Sequence, residues 1–135
     1  MNPTPALGVV YVDTSALAAL LIEQPESQAV LDWLDHHSAT LVSSDLLETE
    51  LRRLAIREGL RQRDVTVLLE GIGLAALDRA VYRGAGFLPM PYLRTLDALH
   101  LEAAIRLDAS HVLTYDRRLG DAARAAGLEV LSPEV

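Results

Sequence analysis

Asp13, Glu50, Asp97 and Asp116 stand where a carboxylate is costly or conspicuous. Asp13 ends the run Val9–Val12, β-branched and aromatic, which reads as a strand buried on both faces. Asp116 ends a second apolar run over residues 111–115. Asp97 lies in the first turn of TLDALHLEAAIRLDA, a segment apolar almost all round and so expected to be a buried helix. Glu50 falls inside the apolar stripe Leu46, Leu47, Leu51 and Leu54 of another helix, whereas Glu48 points well away from it. Burying an unpaired anion there costs several kcal/mol. Taken singly, each acid has a modest explanation. The three aspartates suit helix starts, as caps or as acids favoured by the helix dipole. Glu50 can pair with Arg53 or Arg57 on its own helix. Taken together, crowded carboxylates repel one another and either take up protons or hold cations. Hard divalent ions prefer such oxygen ligands.

The elements that must position these acids alternate along the chain. Strands are expected at residues 9–12, 39–43, 74–77, 111–115 and 128–131, the third short and at an edge. Helices are expected at residues 14–22, 25–37, a long one from Ser44 or Asp45 continuing through 64–70 to the Gly71, Gly73 pair, 78–84, from a Thr95 cap onward, and 117–126. Asp45 and Glu48 have the spacing of a capping box. The alternation predicts an α/β fold in three layers, a parallel sheet of about five strands with helices on both faces. In a right-handed parallel sheet all strand ends of one sense share an edge, and ligands bind in the crevice beyond the carboxyl ends. Asp13 and Asp116 then share one rim, and the Asp97 helix starts at it. Glu50 lies one or two turns into the helix that follows the second strand, within reach of the same crevice. Residues 1–7 read as a loose lead-in. Trp33, His36 and His37 read as packing and helix-end groups, and Tyr82, Phe87 and Tyr92, too scattered for a base-stacking platform, as packing.

Composition removes many alternatives. With 135 residues, a single domain over residues 1–135 with a real core is expected. The apolar run at residues 16–22 is far too short to span a bilayer, and the first arginine is Arg52. No membrane segment or charged leader is expected, and the cytoplasm is the simplest location. The absence of cysteine excludes disulfides, thiolate nucleophiles and cysteine-ligated zinc. All 12 basic residues are arginine, which excludes a Walker-type phosphate loop and Schiff-base chemistry. Neither GxGxxG nor GxSxG occurs. A net charge of −7 opposes nucleic-acid binding unless bound cations cancel part of it. Arg52, Arg53, Arg57, Arg61 and Arg63 crowd one short stretch, either as a solvated face or as a ridge that tracks phosphates or a partner.

VDTSAL at residues 12–17, TELRR at 49–53, LRTLDALHLEAA at 93–104 and LTYDRRL at 113–119 resemble the four acidic motifs of PIN-domain ribonucleases. In size and motif spacing the whole chain is similar to the VapC toxins of type II toxin–antitoxin modules. That resemblance implies a PIN-like fold and a Mg2+- or Mn2+-dependent endoribonuclease. It implies two-metal-type hydrolysis of RNA phosphodiester bonds, leaving 5′-phosphate and 3′-hydroxyl ends. It also implies a VapB-like antitoxin partner and a homodimer. The metal ligands fall on Asp13, Glu50, Asp97 and Asp116, with Thr114 in the hydroxyl position before the last acid. Two divalent ions would cancel the four carboxylate charges. Many relatives carry a further acid where Arg118 stands, so either Asp121 substitutes one turn later or the second metal is held more loosely. His100, one turn beyond Asp97, reads as packing. Arg52, Arg53, Arg57 and Arg61 are the expected RNA or antitoxin contacts. The rivals are a non-catalytic PIN-like binding module, a receiver-like acidic-pocket domain and a haloacid-dehalogenase phosphatase. The receiver needs a lysine this chain lacks, and the phosphatase needs an acid where Ser15 stands.

Overall fold

Five short strands form the sheet of the computed structural model: Val9–Val12 (β1), Thr40–Ser44 (β2), Gly73–Ala75 (β3), His111–Leu113 (β4) and Glu129–Leu131 (β5). The structure describes residues 7–134, so the lead-in expected over residues 1–7 falls, except for Leu7, outside the described residues. The strands are all parallel, in the order β3-β2-β1-β4-β5. From β1 the chain therefore builds outward to one side through β2 and β3, then returns to the other side of β1 with β4 and β5. The reversal between β1 and β4 is a topological switch point, where the loops after the two strands part and leave a crevice. Asp13 follows β1 at that crevice, and Asp116 lies three residues past β4.

Among the described residues, seven helices cover the two faces: Thr14–Leu21 (α1), Ser27–His36 (α2), Asp45–Glu58 (α3), Gln62–Leu69 (α4), Arg79–Gly86 (α5), Thr95–Arg106 (α6) and Arg117–Ala125 (α7). The alternation of side chains in β1 sorts them. Val10 and Val12 join Leu17 of α1, Leu47 and Leu51 of α3, and Val65 of α4 in one core. Tyr11 points the other way, into a core with Leu99 of α6 and Leu119 of α7. Trp33 and His37 stack at 4.8 Å at the end of α2, as helix-end packing groups.

Local capping departs from expectation in three places. Gly59, at φ +66, ends α3 by giving its N–H to the carbonyls of Ala55 and Ile56, so α3 and α4 are separate helices. The Asp45–Glu48 capping box does not form. Glu48 binds Arg52 at 2.8 Å instead, and Ser44, the N-cap of α3, makes no capping bond. Its hydroxyl instead accepts from Tyr11 across the sheet, at 3.0 Å. Thr95 is the first helical residue of α6 rather than its cap, a position taken by Arg94. Asp13, Asp78 and Asp116 do cap α1, α5 and α7 through their side chains. Tyr82, Phe87 and Tyr92 are exposed rather than packed.

Candidate functional site

Asp13 is buried, and three groups converge on its Oδ2: the Ser15 hydroxyl at 2.7 Å, the Thr114 hydroxyl at 2.8 Å and the Ser15 N–H at 3.3 Å. These bonds fix the carboxyl plane and leave Oδ1 as the oxygen nearer His100, 3.7 Å from Nε2. Thr114 also accepts the Asp116 N–H at 3.0 Å, and Ser15 accepts the Tyr115 N–H at 2.8 Å. The two hydroxyls thus tie the ends of β1 and β4 together. Asp116 caps α7, accepting the Leu119 N–H at 2.9 Å with Oδ1. The capping role and a place at the crevice are therefore compatible.

Glu50 reaches the same crevice from α3. Its Oε1 accepts from Thr14 Oγ1 at 2.9 Å and from His100 Nε2 at 2.6 Å. The ion pair with Arg53 or Arg57 does not form. His100 Nδ1 lies 2.7 Å from the Tyr11 hydroxyl, whose own proton goes to Ser44. Both ring nitrogens are thus bonded, an arrangement that suits the protonated ring. Burial alone would lower the pKa of His100, but the Glu50 hydrogen bond and the charges of Asp13, Glu50 and Asp97 raise it above the ordinary value. Burial would likewise raise Glu50, and the His100 and Thr14 contacts hold it below the ordinary carboxylate value. Tyr11 is pushed up to about 12, mostly by burial, and so keeps its proton.

Asp97 carries the strongest sign of crowding. Its pKa is raised from 3.8 to about 6, first by burial and then by the charges of Asp116 and Asp13, with Glu50 adding and His100 opposing. The four acids therefore share one electrostatic neighbourhood. Among the described residues no three His, Asp or Glu side chains stand close enough together to hold an ion as they are. The donor chemistry nonetheless fits a hard divalent cation: carboxylate oxygens and hydroxyls in an apolar setting, with a protonation cost at Asp97 that a cation would remove.

The remaining candidate residues divide. Thr114 belongs to the crevice. Asp121 does not reach it; on the exposed side of α7 it pairs with Arg124 at 3.5 Å. Arg52 is occupied, bonded to Glu48 and donating to Gln62 and Thr66, so it clamps α3 to α4. Arg61 pairs with Asp64 at 3.5 Å on the surface. Arg53 and Arg57 line a groove of about 450 Å3 with Thr14, Glu50, Leu54 and Leu96. The sequence reading missed His100, Tyr11, Ser15 and Ser44 as parts of the site. One signal was available for His100, its spacing of one helical turn from Asp97 on α6.

Comparison with known proteins places the chain among relatives. The profile of the PIN domain matches residues 10–125. The chain is 36% identical over 130 residues to Ribonuclease VapC46 of Mycobacterium tuberculosis, covering 94% of this chain and 99% of that protein. Among solved structures it resembles Mycobacterium tuberculosis VapC20, described as a sarcin-ricin loop cleaving toxin, with a TM-score of 0.74 at 15% identity, over 92% of this chain and 99% of that one. A toxin-antitoxin complex from Klebsiella pneumoniae matches with a TM-score of 0.73 at 18% identity, over 93% of this chain and 99% of that one. At such identities these two likenesses bear on the fold.

Proposed function

The chain belongs to the PIN-domain family, and from that membership we propose that it is a divalent-metal-dependent endoribonuclease, the toxin of a VapBC-type toxin–antitoxin pair. The observation that supports the reading is the placing of Asp13 and Asp116 at the switch point of the sheet, beside Asp97, whose pKa is raised to about 6 first by burial and then by the charges of Asp116 and Asp13. A solvated capping acid has no reason to be so raised. The names of the relatives, ribonucleases and toxins, supply the substrate class.

Asp13, Glu50, Asp97 and Asp116 are the residues that would hold Mg2+ or Mn2+. When bound, such ions supply Lewis acidity to the attacking water and to the phosphodiester. The chain's own groups do the positioning. Ser15 and Thr114 fix Asp13, and Thr114 also holds the backbone before α7 that carries Asp116. His100 and Thr14 hold one oxygen of Glu50. The buried Tyr11–His100 pair forms the floor of the crevice beneath the acids. Arg53 and Arg57, on the groove beside Glu50, are the arginines placed to meet RNA phosphates or an acidic partner segment. A VapB-like antitoxin and a second copy of the chain are the proposed protein partners.

The test is cleavage of single-stranded and structured RNA by the purified chain. Mg2+ or Mn2+ supports cutting and excess chelator stops it; RNA cut equally well in excess chelator contradicts the proposal.

A further inference from the structure

Tyr11 is fully buried inside β1, yet its hydroxyl belongs to a polar chain that ends at the crevice. The hydroxyl lies 3.0 Å from Ser44 Oγ at the end of β2 and 2.7 Å from His100 Nδ1 on α6. His100 Nε2 in turn lies 2.6 Å from Glu50 Oε1 on α3. One run of hydrogen bonds, Ser44–Tyr11–His100–Glu50, thus joins four elements. Ser44, Tyr11 and His100 are all buried, so none of them exchanges its partner for water while the core stays closed.

The run also links the two helical layers. Leu47 and Leu51 of α3 belong to the core on one face of the sheet, Leu99 and Leu101 of α6 to the core on the other. The His100–Glu50 bond bridges these layers at the rim. An imidazole bonded through one nitrogen is free to turn over about its ring bond. Bonded through both, it turns only by breaking two hydrogen bonds, one of them fully buried. An ionised carboxylate only accepts, so Nε2 presents its proton to Glu50 and Nδ1 is left to Tyr11. Burial pushes Tyr11 up to about 12, so its oxygen remains a hydroxyl, able to donate or to accept. The Tyr11 bond therefore suits Nδ1 with or without a proton, and the hold on the ring does not depend on its charge.

Glu50 needs such a hold, because its long side chain is partly exposed at the rim. Both of its bonds, from His100 and from Thr14, go to Oε1, and among the described residues no hydrogen bond reaches Oε2. Asp13 follows the same plan, with Ser15 and Thr114 both on Oδ2. We infer, on the cation-site reading above, that Tyr11 is a positioning residue whose hydroxyl, acting through His100, fixes the Glu50 carboxylate for a divalent cation. Partners that orient a ligating group typically change metal affinity about tenfold to a hundredfold when removed. A tyrosine that only fills the core contributes its ring, and phenylalanine supplies that equally well.

The experiment titrates Mn2+ into the purified wild-type chain and into Tyr11→Phe, reading free Mn2+ by its electron paramagnetic resonance signal. Tyr11→Phe keeps the ring and removes the hydroxyl. Val81→Ala, on α5, opens a small cavity in the same core without removing a polar group, and so controls for lost stability alone. Tyr11→Phe is expected to bind Mn2+ about tenfold more weakly, and Val81→Ala to bind it as wild type does. RNA cleavage by Tyr11→Phe is expected to fall at limiting Mn2+ and to recover as Mn2+ saturates, with KM for RNA unchanged. Equal Mn2+ affinity in Tyr11→Phe and wild type, or an equal loss in Val81→Ala, makes Tyr11 a core residue only and overturns the inference. If Tyr11→Phe does not fold, Ser44→Ala decides, since it removes the far partner of Tyr11 and no capping bond. Weaker Mn2+ binding by that variant supports the positioning role, and unchanged binding overturns it. A wild-type chain that holds no Mn2+ removes the cation site itself, and the role of Tyr11 falls with it.

Discussion

His100 is gripped from both ring nitrogens, and that decides which substitutions at the crevice are informative. Glu50→Gln removes the carboxylate that buried His100 bonds, so any relief of repulsion is masked by the loss of that contact. Asp97→Asn has no such complication and is the cleaner change. Because the Asp97 pKa is raised in the folded chain, its neutral form favours folding below pH 3.8, and that contribution is lost as pH rises through about 6. The metal-free protein is therefore expected to lose stability over that window, and Asp97→Asn to lose less. Melting temperatures of the two chains across that range, in chelator, check it; parallel profiles would contradict the crowding. The acids themselves were legible in the sequence, because each sits at a strand end, a helix start or an apolar stripe. His100 was not, since its partners Glu50 and Tyr11 lie 50 and 89 residues away and only the folded chain brings them together.

At the scale of elements, the arginines of α3 divide into structural and exposed groups. Arg52 bonds Glu48 beside it and Gln62 and Thr66 on α4, across the Gly59 turn. Arg52→Gln is expected to cost about 1 kcal/mol of stability, the net worth of a few partly exposed charged hydrogen bonds. Its effect on RNA binding is expected to be small. Arg53→Gln and Arg57→Gln are expected to do the opposite. They leave the melting curve in place, weaken RNA binding, and lower its salt slope by about one each. Thermal melts and salt-dependent titrations of the three variants separate the two roles. Equal effects of all three on binding would make the ridge a diffuse charged face. The charge run was visible in the sequence; which arginine was already occupied depended on the break at Gly59, whose left-handed backbone the helical periodicity around it conceals.

Across the whole molecule, the strand order β3-β2-β1-β4-β5 does the positioning, because its reversal beside β1 opens the crevice that Asp13 and Asp116 border. That the two aspartates share one edge followed from the alternation of strands and helices, since parallel strands joined by right-handed crossovers share one carboxyl edge; the strand order and its reversal did not. Nor did the exposure of three aromatic side chains. Tyr82, Phe87 and Tyr92 read as core by residue type, yet α5 is short and its connection to α6 holds two prolines, so these rings have no layer to enter. The central claim, that four carboxylates at this edge form one cation site, is tested most directly by melting the wild-type chain and the Asp97→Asn and Asp116→Asn variants with and without Mg2+ or Mn2+. Asparagine caps a helix about as well as aspartate, so a capping role alone leaves Asp116→Asn unchanged. A cation site predicts instead that Asp97→Asn is more stable than wild type without metal above pH 6. It also predicts that wild type gains about 2.7 kcal/mol at a hundredfold excess over the dissociation constant, and that both variants lose most of that gain. A wild-type chain indifferent to the metals, or variants that keep the whole gain, would contradict it.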